Sequence, residues 1–277
     1  MAPDTAPPPR PDTALEKARV GDVDIAYRLD GPAAAPVVMM GHCFCADHHF
    51  WDPHLPALAG FRALRFDVRG HGQSGRPAGP YRLAQLAADA AALIDHLGLR
   101  QVHYVGVSMG GMIGQTLALN HADRLASLSL VNTTARYSDA QRKMWRQRAD
   151  DVLRDGIAPI HADLMRRWFT DQAAVGQPPG YRYIAQVVRE FDRRSFAAMT
   201  TALCELDTVD RLPEISVPTL VVAAPEDPGV PPEMSALLAA KIPAANLHWL
   251  SPARHLATLE HVGRFNHILA QHLAAVA

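Results

Sequence analysis

A serine, a late histidine and two adjacent carboxylates carry the chemistry this chain offers. Ser108 stands in Gly106-Val107-Ser108-Met109-Gly110, a G-x-S-x-G pentapeptide. The apolar run 101–107 before it reads as a short buried strand, and 111–119 after it as a buried helix. A serine on so sharp a strand-to-helix turn is held in a strained backbone conformation with its hydroxyl projecting from the sheet. The flanking glycines are needed because larger side chains would clash. A serine hydroxyl is a poor nucleophile at neutral pH. It requires a base for its proton, a carboxylate to orient that base, and donors for the oxyanion.

Where a serine sits on such an elbow, its partners follow in the order serine, Asp or Glu, histidine. They are expected on loops at the carboxyl ends of later strands. Glu226 and Asp227 follow the apolar run 218–224, and adjacent loop residues point in different directions, so one is structural. The alternative position, after the strand ending at Val131, holds the uncharged Asn132. Of the 14 histidines, His255 follows the last strand directly and precedes a helix. His248 falls inside that strand, and His261 and His267 inside the helix, where surface or packing roles are expected. His255 is the expected base. The oxyanion donors are expected to be backbone N–H groups, those of Met109 and of Phe44 in the loop after the 37–40 strand.

Other residues invite chemistry less well. His42, Asp47, His48, His49 and His54 crowd one segment, but their spacing matches no metal-ligand pattern, so no metal is expected. His71, between Gly70 and Gly72, reads as a structural turn residue. Cys43, Cys45, Trp145 and Trp168 are candidates for the wall of a substrate pocket. The three cysteines, Cys43, Cys45 and Cys204, are odd in number and lack zinc or C-x-x-C spacing, as expected of reduced thiols in a cytoplasmic protein.

These side chains need a frame to hold them. Strands are expected at 36–40, 61–66, 101–107, 125–131, 218–224 and 246–250, with helices at 83–97, 232–241 and 256–273 between or after them. An alternating stretch, 18–29, reads as an antiparallel edge strand. From 133 to 207 the alternation stops and several helices follow one another. Strand–helix alternation on both sides of one helical block implies an α/β chain with a mostly parallel sheet flanked by helices. Its core is expected at 15–132 and 208–277, with 133–207 inserted as a helical lid. The Pro-rich residues 1–14 read as a disordered tail without the apolar segment of a signal peptide. Composition is ordinary globular, 48% hydrophobic and 20% charged, with a formal net charge of −1. That balance, without a Lys/Arg block, argues against nucleic acid and anionic membrane as partners.

Asp67-x-Arg69-Gly70-His71-Gly72-x-Ser74, Gly106-x-Ser108-Met109-Gly110-Gly111 and the late Asp227…His255 pair together resemble the α/β-hydrolase superfamily. Within it the chain is most similar to 3-oxoadipate enol-lactonases and related lactonases and esterases. The likeness is carried by Asp47 to Pro53, Gly70 to Ser74, Ser108 to Met112, Val131-Asn132-Thr133, Arg167-Trp168-Phe169-Thr170 and Val217 to Val222. The resemblance favours Asp227 over Glu226. It implies cofactor-free hydrolysis of a small lactone or carboxylic ester, in aromatic catabolism, through an acyl-enzyme. The same serine, histidine and aspartate would serve a carbon–carbon bond hydrolase or a cofactor-free perhydrolase, and the fold also hosts ligand-binding receptors. The chain departs from the family at Cys43-Phe44-Cys45, where a small residue and then glycine are usual, and at 180–196. An enol-lactone carries a carboxylate, which needs a cation; Arg136, Arg166, Arg167 and Arg254 are the candidates.

Overall fold

The computed structural model describes residues 15–277. The expected disordered tail, 1–14, lies outside the described residues. The described residues open with β1 (Glu16–Val20) and β2 (Val23–Asp30), a hairpin where one strand was expected. Gly21, with φ 55°, makes the two-residue turn that breaks the alternating run; a side chain there would be strained. Then come β3 (Val37–Gly41), a 3-10 segment (His48–Leu58), β4 (Arg62–Phe66), α1 (Leu83–His96), β5 (Val102–Val107), α2 (Met109–Asn120) and β6 (Leu125–Val131). Five helices follow before the sheet resumes: α3 (Asp139–Asp155), α4 (Ala158–Trp168), α5 (Asp171–Gly176), α6 (Pro179–Arg189) and α7 (Arg193–Glu205). The chain closes with β7 (Thr219–Ala223), α8 (Pro232–Lys241), β8 (Ala245–Trp249), α9 (Ala257–Glu260) and α10 (Val262–Val276).

The strands form one eight-stranded sheet in the order β1-β2-β4-β3-β5-β6-β7-β8. β1 and β2 pair antiparallel to their neighbours, and every pairing from β4 to β8 is parallel. Burial follows position. β3, β5 and β7, covered by helices, are buried at every residue, whereas β8 at the edge is largely exposed. The two ends of the helical insert meet where Arg136 and Asp207 pair as an isolated antiparallel bridge. A buried relay then ties its return segment to α2: Thr208 donates to Gln115, and Gln115 to the Thr134 carbonyl.

The helix expected over 256–273 is broken in two. His261, at φ −127° and ψ 52°, leaves the helical region, and its Nε2–H donates to the Pro252 carbonyl at 2.7 Å. A side-chain bond to the preceding loop wins there over one more turn of helix.

Candidate active site

Ser108 caps the start of α2 at φ 55° and ψ −111°, outside the ordinary regions for a residue with a Cβ. Three bonds pin it there. Its N–H donates to the Val131 carbonyl at 2.8 Å, and its own carbonyl accepts from the Thr133 hydroxyl at 2.8 Å and the Met112 N–H at 3.0 Å. The glycines around it are required by contact: a Cβ on Gly106 would stand 2.3 Å from the Gly110 carbonyl.

His255 comes from 147 residues further along the chain, and its Nε2 lies 2.8 Å from Ser108 Oγ. Its Nδ1 lies 2.7 Å from Asp227 Oδ2. With Nδ1 protonated, His255 donates to the carboxylate and offers a free lone pair on Nε2 to the serine hydroxyl. All three side chains are buried, Asp227 at 2% exposure.

The loop after β7 separates its two carboxylates cleanly. Asp227 Oδ1 accepts from the N–H groups of Gly229 (2.7 Å) and Val230 (3.0 Å), which turns Oδ2 towards His255. Glu226 faces away and accepts from the Ser251 hydroxyl at 2.7 Å and the Ala253 N–H at 3.2 Å. Burial pushes the Glu226 carboxyl up, but those two hydrogen bonds outweigh it and hold the group below the usual carboxylate range. Asn132, considered in the sequence only as an uncharged substitute for the carboxylate, donates from Nδ2 to Asp227 Oδ2 at 3.3 Å. It sits at φ 42°, a conformation asparagine tolerates better than most residues. Its place directly after a strand end was the signal available in the sequence.

The loop after β3 carries Cys43 and Phe44 to the mouth of the site. It is fixed from below by the Asp67 to Ser74 turn, in which Asp67 is fully buried. The carboxylate of Asp67 accepts from the His48 N–H (2.7 Å), from His48 Nδ1–H (2.9 Å) and from the Gln73 N–H (2.7 Å). Burial raises the Asp67 carboxyl, yet the His48 hydrogen bond and the charges around it leave it below its ordinary value. His42 Nε2 accepts from the Val68 N–H, and His71 Nε2 from the Cys45 N–H. Burial depresses the pKa of both rings, as their acceptor role requires. These hydrogen bonds brace the loop. The Phe44 ring packs against His71, Trp145, Phe191 and Phe196. Met109 opens α2, where N–H groups have no partner within the helix.

A cavity enclosing about 680 Å³, its open mouth included, reaches Ser108 and His255. Cys43, Phe44, Trp145 and Trp168 border it, and the Trp168 ring centre is 6.3 Å from that of His255. Cys45 does not: in its left-handed conformation, φ 64°, with its N–H held by His71, it is buried in the loop beneath. Of the four candidate arginines, one reaches the cavity, Arg167. Arg136 lies beside Asp207, Arg166 is exposed beside Asp163, and Arg254 bonds the carbonyls of Arg166 and Phe169. The sequence missed Arg148, which also lines the cavity, one helical turn after Trp145 and stacked on its ring. Arg148, Arg166 and Arg167 all converge on Asp163, three guanidinium groups on one carboxylate. That leaves an excess of positive charge at this wall. Burial lowers the pKa of Arg148, the mark of a cation partly stripped of water.

A mostly parallel sheet, a serine on a strained strand-to-helix turn and a histidine delivered by the last loop define a class of protein. The chain belongs to the alpha/beta hydrolase fold family, whose model matches residues 36–262, and its fold is of the esterase and lactonase type. It is 32% identical to 3-oxoadipate enol-lactonase 2 of Acinetobacter baylyi over 89% of this chain and 91% of that one. A RutD protein from Azorhizobium caulinodans, whose name proposes carbamate hydrolysis for it, is 33% identical over 82% of this chain and 86% of its own. Among solved structures, the enol-lactonase from Burkholderia xenovorans LB400 superposes with a TM-score of 0.90 at 32% identity, covering 94% of this chain and all of that one. Among the described residues no helix is long and apolar enough to cross a membrane.

Proposed function

We propose that this chain is a serine hydrolase that opens a small lactone or carboxylic ester through an acyl-enzyme, with a carboxylated enol-lactone of the 3-oxoadipate type as substrate. One observation carries the reading: the unbroken chain of contacts from Ser108 Oγ through His255 to Asp227, at 2.8 and 2.7 Å. Ser108 attacks the carbonyl carbon as its proton passes to His255 Nε2, and the N–H groups of Met109 and Phe44 receive the oxyanion. Asp227 stabilises the imidazolium, held in line by Gly229, Val230 and Asn132. His255 returns the proton to the leaving oxygen, which in a lactone stays tethered to the acyl group. Water, deprotonated by His255, then releases the acid and restores Ser108.

Arg148 and Arg167 supply the cationic wall a carboxylated lactone needs, and the names of two similar proteins support that substrate. Carbamate cleavage is the second reading, favoured by the RutD relative at the same level of identity. A hydrolysis screen over carboxylated enol-lactones, neutral lactones, p-nitrophenyl esters and carbamates tests both. Ser108→Ala and His255→Ala are expected to abolish turnover without unfolding the chain. Near-normal turnover in either variant would refute the mechanism, and preference for a carbamate over every lactone would replace the substrate.

A further inference from the structure

The loop that carries His255 is hydrogen-bonded to the helical insert as well as to the sheet. Leu256 N–H donates to the Trp168 carbonyl at 2.9 Å. The Arg254 guanidinium donates to the carbonyls of Arg166 (2.7 Å) and Phe169 (3.0 Å) at the end of α4. Glu260 completes the attachment. Its Oε2 accepts from the Arg254 N–H at 2.9 Å, and its Oε1 accepts from Thr170 twice, from the N–H at 2.9 Å and from the hydroxyl at 2.5 Å. Glu260 is the last residue of the four-residue α9. The break at His261, unexpected from the sequence, lies immediately after it.

We propose that Glu260 is a positioning residue for His255: one carboxylate bonds the residue before the base and the residue two places after Trp168 of the pocket wall. The base and that wall then form one unit. Trp168 and Arg167 border the cavity, so a substrate pressing on them bears on the element that holds His255. An insert that swung open at α4 would have to break these bonds or carry His255 away from Ser108. Two negative arms grip the loop in complementary ways. Glu226 ties its start to the loop after β7, and Glu260 ties its end to the insert. Glu260 touches no reacting atom. Its effect is exerted through the position of the imidazole, where displacement of about 1 Å costs on the order of a hundredfold in rate.

This inference rests on the serine-hydrolase reading, and the test separates the two. Ser108 is labelled with a fluorophosphonate in wild type, Ser108→Ala, Glu260→Ala and Glu260→Gln, and turnover of p-nitrophenyl acetate is measured beside it. The proton shared by His255 Nδ1 and Asp227 is followed as a downfield proton resonance. Glu260→Ala is expected to slow labelling and kcat by about tenfold or more while KM changes little, and to broaden or shift that resonance below the melting temperature. Glu260→Gln keeps one acceptor oxygen and is expected to fall between Ala and wild type. Folded Ala and Gln variants that label at the wild-type rate with an unchanged resonance would overturn the proposal. Should the Ala variant fail to fold, the Gln variant decides: a slowed rate supports the role and a wild-type rate overturns it. Wild-type protein that labels no better than Ser108→Ala overturns the hydrolase reading and this inference with it.

Discussion

The backbones of Gly41 and Gly110 meet with no room for a side-chain atom, since a Cβ on Gly110 would stand 2.1 Å from the Gly41 carbonyl oxygen. This contact seats the first turn of α2 against the end of β3, and with it the proposed nucleophile against the loop that carries Phe44. Gly110→Ala is therefore expected to force the two apart. Overpacking against a backbone atom costs about 3 kcal/mol, and a shift of the Phe44 loop is expected to lower kcat at least about tenfold. Urea denaturation together with steady-state kinetics measures both. A variant with wild-type stability and rate would show that the contact positions nothing.

Cys45 occupies a position where glycine is the usual choice, at φ 64° and 1% exposure. The left-handed conformation costs a side-chain-bearing residue about 1–2 kcal/mol, and burial of the thiol offsets a similar amount. Cys45→Gly is expected to leave stability within about 1 kcal/mol of wild type. Cys45→Val, β-branched and ill-suited to positive φ, is expected to lose about 2 kcal/mol or more and to impair turnover. Thermal melts of the two variants check the ordering, and a Val variant as stable as the Gly variant would contradict it.

Arg148 and Arg167 face the cavity with one carboxylate, Asp163, shared among three arginines. Replacing either by Met is expected to raise KM for a carboxylated lactone about tenfold, the loss of one charge-assisted hydrogen bond. Hydrolysis of neutral p-nitrophenyl acetate is expected to change little. Equal effects on charged and neutral substrates would assign these arginines to packing instead.

His54 is fully buried, and loss of hydration pushes its pKa down to about 4 from the ordinary 6.5. Its Nδ1–H donates to Asn266 Oδ1 at 2.8 Å, while its ring packs against Trp51 and Phe265. The folded protein thus excludes a proton that the unfolded chain binds below pH 6.5. The stability from the neutral ring is fully present above pH 6.5 and is lost as pH falls towards 4. Between pH 7 and 5 that loss is about 2 kcal/mol. His54→Phe is expected to flatten the pH dependence of stability over that interval by about this amount. An unchanged slope in chemical denaturation would place the acid sensitivity elsewhere, with His42 and His71 the next buried rings to test.

Much of the fold was legible because its signals are local. The strand at 125–131 and the helix at 232–241 match the structure residue for residue, since apolar runs and a proline start are written within each segment. The failures were local signals overruled. At 18–29 the alternating pattern continued through a turn that Gly21 makes, and at 256–273 the helical pattern continued through His261, whose side chain is drawn to Pro252.

For the candidate site, the sequence by itself pointed to the elbow at Ser108, the order of its proposed partners and the placement of His255 after the last strand. Each follows from residue types within a few positions of one another and from where a parallel sheet ends its strands. The tertiary structure alone decided how they are held. It turned Asp227 inward through two backbone N–H groups while Ser251 and Ala253 took Glu226. It also brought Asn132 to Asp227 across 95 residues of sequence, put Arg148 beside Arg167, and joined Glu260 to Thr170 across 90. A hydrogen bond needs about 3 Å and the right angle between its partners. Partners that far apart in the chain meet only after the sheet, the insert and the last helices have packed.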